Sequence, residues 1–146
     1  PSGMDSVCLD RQEGSYPVKA LMMNIGRRRP LGIGAGSLAL LSAMPEARAE
    51  QILDHNAVRI RQQGETDARH LRSVVAQGRA DGFVARAPVD SPEILSLGVA
   101  VLNPYGTPVM SLSISALKFR IEPRLDELVA LLRQRQEKVE KQLAQR

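Results

Sequence analysis

Ile94-Leu95-Ser96-Leu97-Gly98-Val99-Ala100-Val101-Leu102 and Val109-Met110-Ser111-Leu112-Ser113-Ile114-Ser115-Ala116, joined by Asn103-Pro104-Tyr105-Gly106-Thr107-Pro108, decide how this chain folds. Both flanking runs alternate with a period of two, and the linker is dense in turn formers, so the spacing predicts a β-hairpin with strands over 94–102 and 109–116. Side chains alternate across a strand. Ser96, Gly98 and Ala100 therefore share one face with Ser111, Ser113 and Ser115, while Leu95, Leu97, Val99, Val101, Met110, Leu112 and Ile114 share the other. A loop over 103–108 sets Gly98 opposite Ser113, Ser96 opposite Ser115 and Ala100 opposite Ser111. The expectation is a bulky face packed on helices and a small face forming a shallow, hydroxyl-lined hollow with room for a ligand.

Outward from the hairpin, residues 5–13 and 17–25 read as two strands joined by a turn at Glu13-Gly14-Ser15, and Gly26 to Pro30 as a basic loop. Gly32-Ile33-Gly34-Ala35-Gly36-Ser37 runs into a short buried helix at Leu38-Ala39-Leu40-Leu41. A second helix starts at Pro45, and a third spans Ala68 to Arg79 behind a cap at Thr66-Asp67, ended by Asp81-Gly82. A strand begins at Phe83, residues 84–93 form a loop or a weak edge strand, and Pro123 opens a long helix with Leu125, Leu128, Val129 and Leu132 on one face. Strands, helices, strands, helix: the order predicts an α+β fold with helices packed on a mainly antiparallel sheet.

At 146 residues the chain suffices for one domain with its own core. Aromatic content is low, so that core rests on Leu, Val, Ile, Met and Ala. The single cysteine, Cys8, excludes an internal disulfide framework and fits a reducing cytoplasm. No apolar run is long enough to span a membrane. Pro1-Ser2-Gly3 do not resemble a natural start, and residues 1–4 are expected to be a linker or cloning remnant ahead of a domain over 5–146. The net charge of +4 is concentrated in Lys118 to Arg146, where eight basic and five acidic residues alternate in sign along a helix. With only Tyr16, Phe83, Tyr105 and Phe119 to stack on bases, a solvated helix face is the better reading than a nucleic-acid surface.

The glycine-rich run matches neither a dinucleotide fingerprint nor a P-loop. It reads as a close helix–sheet approach, or as a helix start that offers N–H donors to a carboxylate above the serine hollow. A serine nucleophile would need His55 or His70 as base, and neither has a nucleophile context around it. One cysteine and two distant histidines supply no metal-ligand spacing, so no metal or other cofactor is expected. Arg86 is either a surface residue or a ligand for an anion.

The ordered set Cys8-Leu9-Asp10-Arg11-Gln12-Glu13-Gly14, Ile25-Gly26, Arg29-Pro30-Leu31-Gly32-Ile33-Gly34-Ala35-Gly36-Ser37, Gly106-Thr107-Pro108-Val109 and Ser111-Leu112-Ser113-Ile114-Ser115 resembles the C-terminal effector-binding domain of IclR-type bacterial transcription regulators, from about Asp5 to Leu143. The resemblance implies a GAF-like domain, with a central antiparallel sheet flanked by helices. It also implies a cytoplasmic homodimer or homotetramer that senses a small carboxylic or aromatic acid, and contact with operator DNA through an N-terminal winged helix-turn-helix absent from this chain. It places Ser113 and Ser115 on the ligand carboxylate, Ala35 and Gly36 at the helix start, Leu21, Ile94 and Val18 on the apolar wall, and Ser96 where some members have cysteine. Arg86 stands where some relatives carry an acid, a reversal that favours a more anionic effector. The competing expectations are a small serine-dependent hydrolase and a purely structural oligomerisation domain.

Overall fold

The computed structural model describes residues 1–20, 23–64 and 67–145. Their elements run β1 (Asp5–Val7), β2 (Arg28–Pro30), α1 (Ala35–Ala43), α2 (Glu46–Gln62), α3 (Ala68–Asp81), β3 (Val84–Arg86), β4 (Ile94–Leu102), β5 (Pro108–Leu117), α4 (Lys118–Ile121), a 3-10 turn (Glu122–Arg124) and α5 (Leu125–Ala144). β3, β4 and β5 form one antiparallel sheet in that order, and β1 pairs with β2 in a second. The α+β class and antiparallel pairing match the sequence reading; the division into two sheets does not.

The hairpin has the expected register: Ser96 pairs with Ser115, Gly98 with Ser113 and Ala100 with Ser111. Asn103 closes its loop, the side-chain Oδ1 accepting from the backbone N–H of Tyr105 and of Thr107 at 3.0 and 2.9 Å. On the bulky face, Leu95, Leu97 and Val99 pack with Ile121, Leu128, Val129 and Leu132, so α5 covers that side. Glu140 pins the far half of α5 to the end of β4 by accepting from the backbone N–H of Leu102 at 2.8 Å.

The middle of the small face is covered as well, as the close helix–sheet reading of the glycine-rich run expects and the hollow reading does not. α1 lies across β4 and β5. A Cβ built on Gly98 would fall 2.5 Å from the carbonyl oxygen of Ala35 and 2.6 Å from its carbon. Glycine is needed at 98 because backbone, which cannot swing aside, occupies the space. α3 packs behind α1 and under β3, where Gly78 leaves no room for a side chain against Ser42 and Val84. It begins with Asp67 accepting from the backbone N–H of His70 at 2.9 Å and ends on Gly82 at φ 75°, the left-handed turn that a glycine C-cap provides.

The N-terminal region departs furthest from the sequence reading. Only Asp5–Val7 is strand within 5–13, and the described residues of 17–25 form none. Charged side chains at Arg11, Glu13 and Lys19 pair among themselves at the surface, and Arg11 donates to the backbone oxygen of Met23 at 3.1 Å. Arg28–Pro30, read as loop, is instead the partner of β1. The strand tolerates its arginines because Arg28 is exposed and reaches Asp5 and Ser2, and it ends at proline, which has no N–H to give a ladder. Residues 2–4 are part of this body. Ser2 and Asp5 exchange backbone hydrogen bonds, and the carbonyl of Met4 accepts from Leu31 and Asn56.

Candidate functional site

Residues paired across neighbouring strands point to the same side of a sheet. Arg86 of β3 pairs with Ser96 of β4, and Ser96 with Ser115 of β5, so these three side chains form one row on the α1 face. The next row is Val84, Gly98 and Ser113, with the start of α1 over its middle. The arrangement follows from a period of two on each strand and from a hairpin loop of fixed length. No one residue type in the sequence announces it.

Within the row, the hydroxyls of Ser96 and Ser115 lie 2.7 Å apart and share a hydrogen bond. Ser96 is buried, Ser115 half-buried and Ser113 exposed. The two-serine bond uses one hydroxyl proton, which leaves the other free to donate to a third oxygen. Over Ser111 and Ser113 stands Gly36; a Cβ there would meet the Ser111 hydroxyl at 2.8 Å. Ala35 is buried. The start of α1 has no side-chain cap: Gly34 sits at the N-cap position, and the hydroxyl of Ser37 is turned back to accept from the backbone N–H of Gly32 at 2.7 Å. First-turn N–H groups together with serine hydroxyls make a donor-rich, partly positive corner suited to a carboxylate.

Arg86 is 8% exposed, so the surface reading is corrected: it is a buried residue. A three-residue edge strand places it there, with exposed Ala85 between the buried Val84 and Arg86. Ile94, half-buried and opposite Leu117, supplies an apolar end to the same face. Val18 is 57% exposed in a segment without strand. Leu21 lies outside the described residues. The sequence reading already names Arg86 as a candidate anion ligand; what the pairing of β3 with β4 adds is its place beside Ser96.

Hydrolysis finds no support in this geometry. His55 and His70 are exposed, on α2 and α3, and among the described residues neither imidazole is hydrogen-bonded to Ser96, Ser113 or Ser115. Among the described residues no cluster of three or more His, Cys, Asp or Glu side chains could hold a metal, and no helix is long and apolar enough to cross a membrane. A groove of about 490 Å³ runs between Phe83 and α5, past Asp126, Arg133 and Glu137, on the opposite side of the sheet. Its lining is mostly the solvated helix face, and none of the row residues reaches it.

Comparison with known proteins agrees with the architecture. A family model described as bacterial transcriptional regulator IclR C-terminal matches residues 2–141. The C-terminal domain of the Escherichia coli transcriptional regulator KdgR is similar at 30% identity, over 82% of this chain and 74% of that one, with a TM-score of 0.70. IclR of Thermotoga maritima superposes with a TM-score of 0.86 at 20% identity over 99% of this chain and 59% of that one. The Agobacterium tumefaciens repressor BlcR does so at 0.79 and 17%, over 99% and 57%. The chain therefore spans about three-fifths of the length of these two whole regulators. Comparison with curated protein sequences finds no match. These relatives are regulators of transcription and not enzymes, and the match over nearly the entire sequence settles the assignment: the chain belongs to the IclR family, as a C-terminal regulatory domain.

Proposed function

We propose that this domain senses a small organic acid on the α1 face of β4 and β5, and passes the bound state through an oligomer interface to a DNA-binding part of the complete regulator. The observation that carries the reading is the Ser96–Ser115 hydroxyl pair, 2.7 Å apart, beside the uncapped start of α1. A ligand carboxylate would accept from these hydroxyls, from Ser113 and from first-turn N–H groups, drawing α1 and the hairpin together. Such a ligand biases the regulator only by binding one state of the assembly better than another. The domain by itself would then bind effector but not operator DNA.

A purely structural role has one observation in its favour: close packing of Ala35 on Gly98 accounts for the middle of the small-residue stripe without any ligand. It does not account for Ser96 and Ser115 at the end of the stripe, or for a serine at exposed position 113. Thermal unfolding in the presence of small carboxylic and aromatic acids separates the two. A ligand at a hundred times its dissociation constant adds about 2.7 kcal/mol of stability. Ser113→Leu, at an exposed position, should abolish that shift and leave the unliganded melting temperature nearly unchanged. Absence of stabilisation by any acid would leave the structural role.

A further inference from the structure

The start of α1 is bonded, link by link, to the first strand of the domain. In the first turn of α1 the buried hydroxyl of Ser37 accepts from the backbone N–H of Gly32 at 2.7 Å. Leu31, the neighbour of Gly32, donates its own N–H to the carbonyl of Met4 at 2.9 Å. Asn56 of α2, also buried, ties that pair from behind. Its side-chain amide donates to the carbonyl of Leu31 at 3.0 Å and to that of Met4 at 2.7 Å. One turn further along α2, Arg59 donates to the Asp5 carboxylate at 2.8 Å. There is no spare volume beside these bonds, since a Cβ on Gly32 would lie 2.7 Å from the Ile60 side chain.

We infer that Ser37 and Asn56 form a relay within one chain, which passes a displacement of the α1 start to Met4 and Asp5. Its use in signalling rests on the proposed acid site on the α1 face; the linkage itself does not. The destination matters because the matched family part is C-terminal, so a complete regulator reaches this domain through these first residues. A carboxylate that draws the α1 start onto the hairpin carries Ser37 with it. Gly32 then follows or leaves a buried N–H without its partner, and Leu31 follows Gly32 through a rigid peptide plane. Asn56 holds Leu31 and Met4 at one spacing, so neither moves without the other. Close-packed, fully bonded surroundings pass such a displacement on instead of absorbing it. Both side chains are positioning residues, and the route they make runs beside any oligomer interface.

The test replaces the ligand with a substitution. Gly36→Ala puts a methyl group 2.8 Å from the Ser111 hydroxyl and so displaces the α1 start from β5. Hydrogen exchange reads the response at the Leu31 amide, bonded to Met4, and at the Asp5 amide, bonded to Ser2, with the amides of α3, which packs on the same helix, as control. Exchange at Leu31 and Asp5 should accelerate at least about threefold more than in α3. Added to Asn56→Ala, the same substitution should change Asp5 by less than about 1.5-fold relative to Asn56→Ala alone, while its effect at Gly32 persists. Equal acceleration in α3, or an effect at Asp5 undiminished by Asn56→Ala, overturns the relay. If either variant does not fold, Ser37→Ala decides: exchange should quicken at Leu31 and Asp5 and not in α3, and a uniform change overturns the inference. A failed relay leaves the acid site standing, and an acid screen without a hit removes the acid site but not the relay.

Discussion

The two sheets of this domain are both antiparallel, yet they are fastened to their helices by different forces. β3–β4–β5 is gripped by shape. The backbone of α1 rests on Gly98 from one side, and Leu128, Val129 and Leu132 of α5 bury Leu95, Leu97 and Val99 from the other. β1–β2 is gripped by polar contacts. Asn56 of α2, fully buried, donates to the carbonyls of Met4 and Leu31 at 2.7 and 3.0 Å. Arg59 of α2 and Arg28 of β2 both reach the carboxylate of Asp5, at 2.8 and 3.4 Å. The lesson concerns which perturbations each sheet feels. Added volume should injure the first, and lost hydrogen bonds or a change of pH the second.

The largest expected effect is steric. Gly98→Val places a branched side chain where the Ala35 carbonyl already stands, and neither backbone can yield without moving α1 off the sheet. A loss of more than about 3 kcal/mol is expected in denaturant unfolding, at the upper end for overpacked cores. A loss below about 1 kcal/mol would mean that α1 is loosely seated and that shape does not hold this sheet.

Asn56→Ala should come next. It removes the side-chain donor for the buried Leu31 carbonyl and the part-buried Met4 carbonyl, which keeps only the Leu31 N–H, a cost of about 2 kcal/mol. Hydrogen exchange sharpens the comparison beyond the magnitude. Protection should fall first at Asp5, Ser6 and Val7 and their partners Arg28 and Arg29, while amides of β4 keep theirs. Uniform loss across both sheets would show that they unfold as one unit and that the distinction between shape and polarity has no dynamic consequence.

The same division explains what could be read in the sequence. In the hairpin, strict alternation over two long runs and a loop of defined length fix both the faces and the pairing, so Ser96–Ser115 and Gly98–Ser113 follow from spacing alone. The glycine-rich run does read as a close helix–sheet approach, but the landing point on Gly98 is not set by its spacing. Alternation shows that a face is small but does not show whether a ligand or a neighbouring backbone uses the space. β2 is three residues long, and Arg27-Arg28-Arg29 has the composition of a solvated loop, so neither period nor polarity marks it as strand. Arg86 is legible as a candidate anion ligand, but its neighbours are hidden for a related reason. A strand of three residues shows almost no period, and only its pairing with β4 places a charged residue beside the serines.

The smallest expected effect is electrostatic and belongs to β1–β2. The Asp5 carboxyl is held below the usual carboxylate range, first by its hydrogen bond from Arg59 and then by the charges of Arg59 and Arg28, against an opposing contribution from burial. A carboxyl with a depressed folded pKa binds its proton more readily in the unfolded chain. Its stabilisation is therefore complete above the ordinary carboxylate value and is lost as pH falls through the lower, folded one. Asp5→Asn should make the protein less stable at pH 7 by under about 1 kcal/mol, because both arginines are more than a third exposed and solvent screens the pair. The gap between the two proteins should narrow once pH drops below about 4 and close at lower pH, and added salt at pH 7 should narrow it too. Gly98→Val offers the contrast, since a steric penalty at an uncharged position carries no pH dependence of its own. Thermal melts of both variants at neutral and acid pH place the two sheets on one axis. If the Asp5→Asn gap persists unchanged into acid, Asp5 acts through packing and not charge, and the polar account of the smaller sheet fails there.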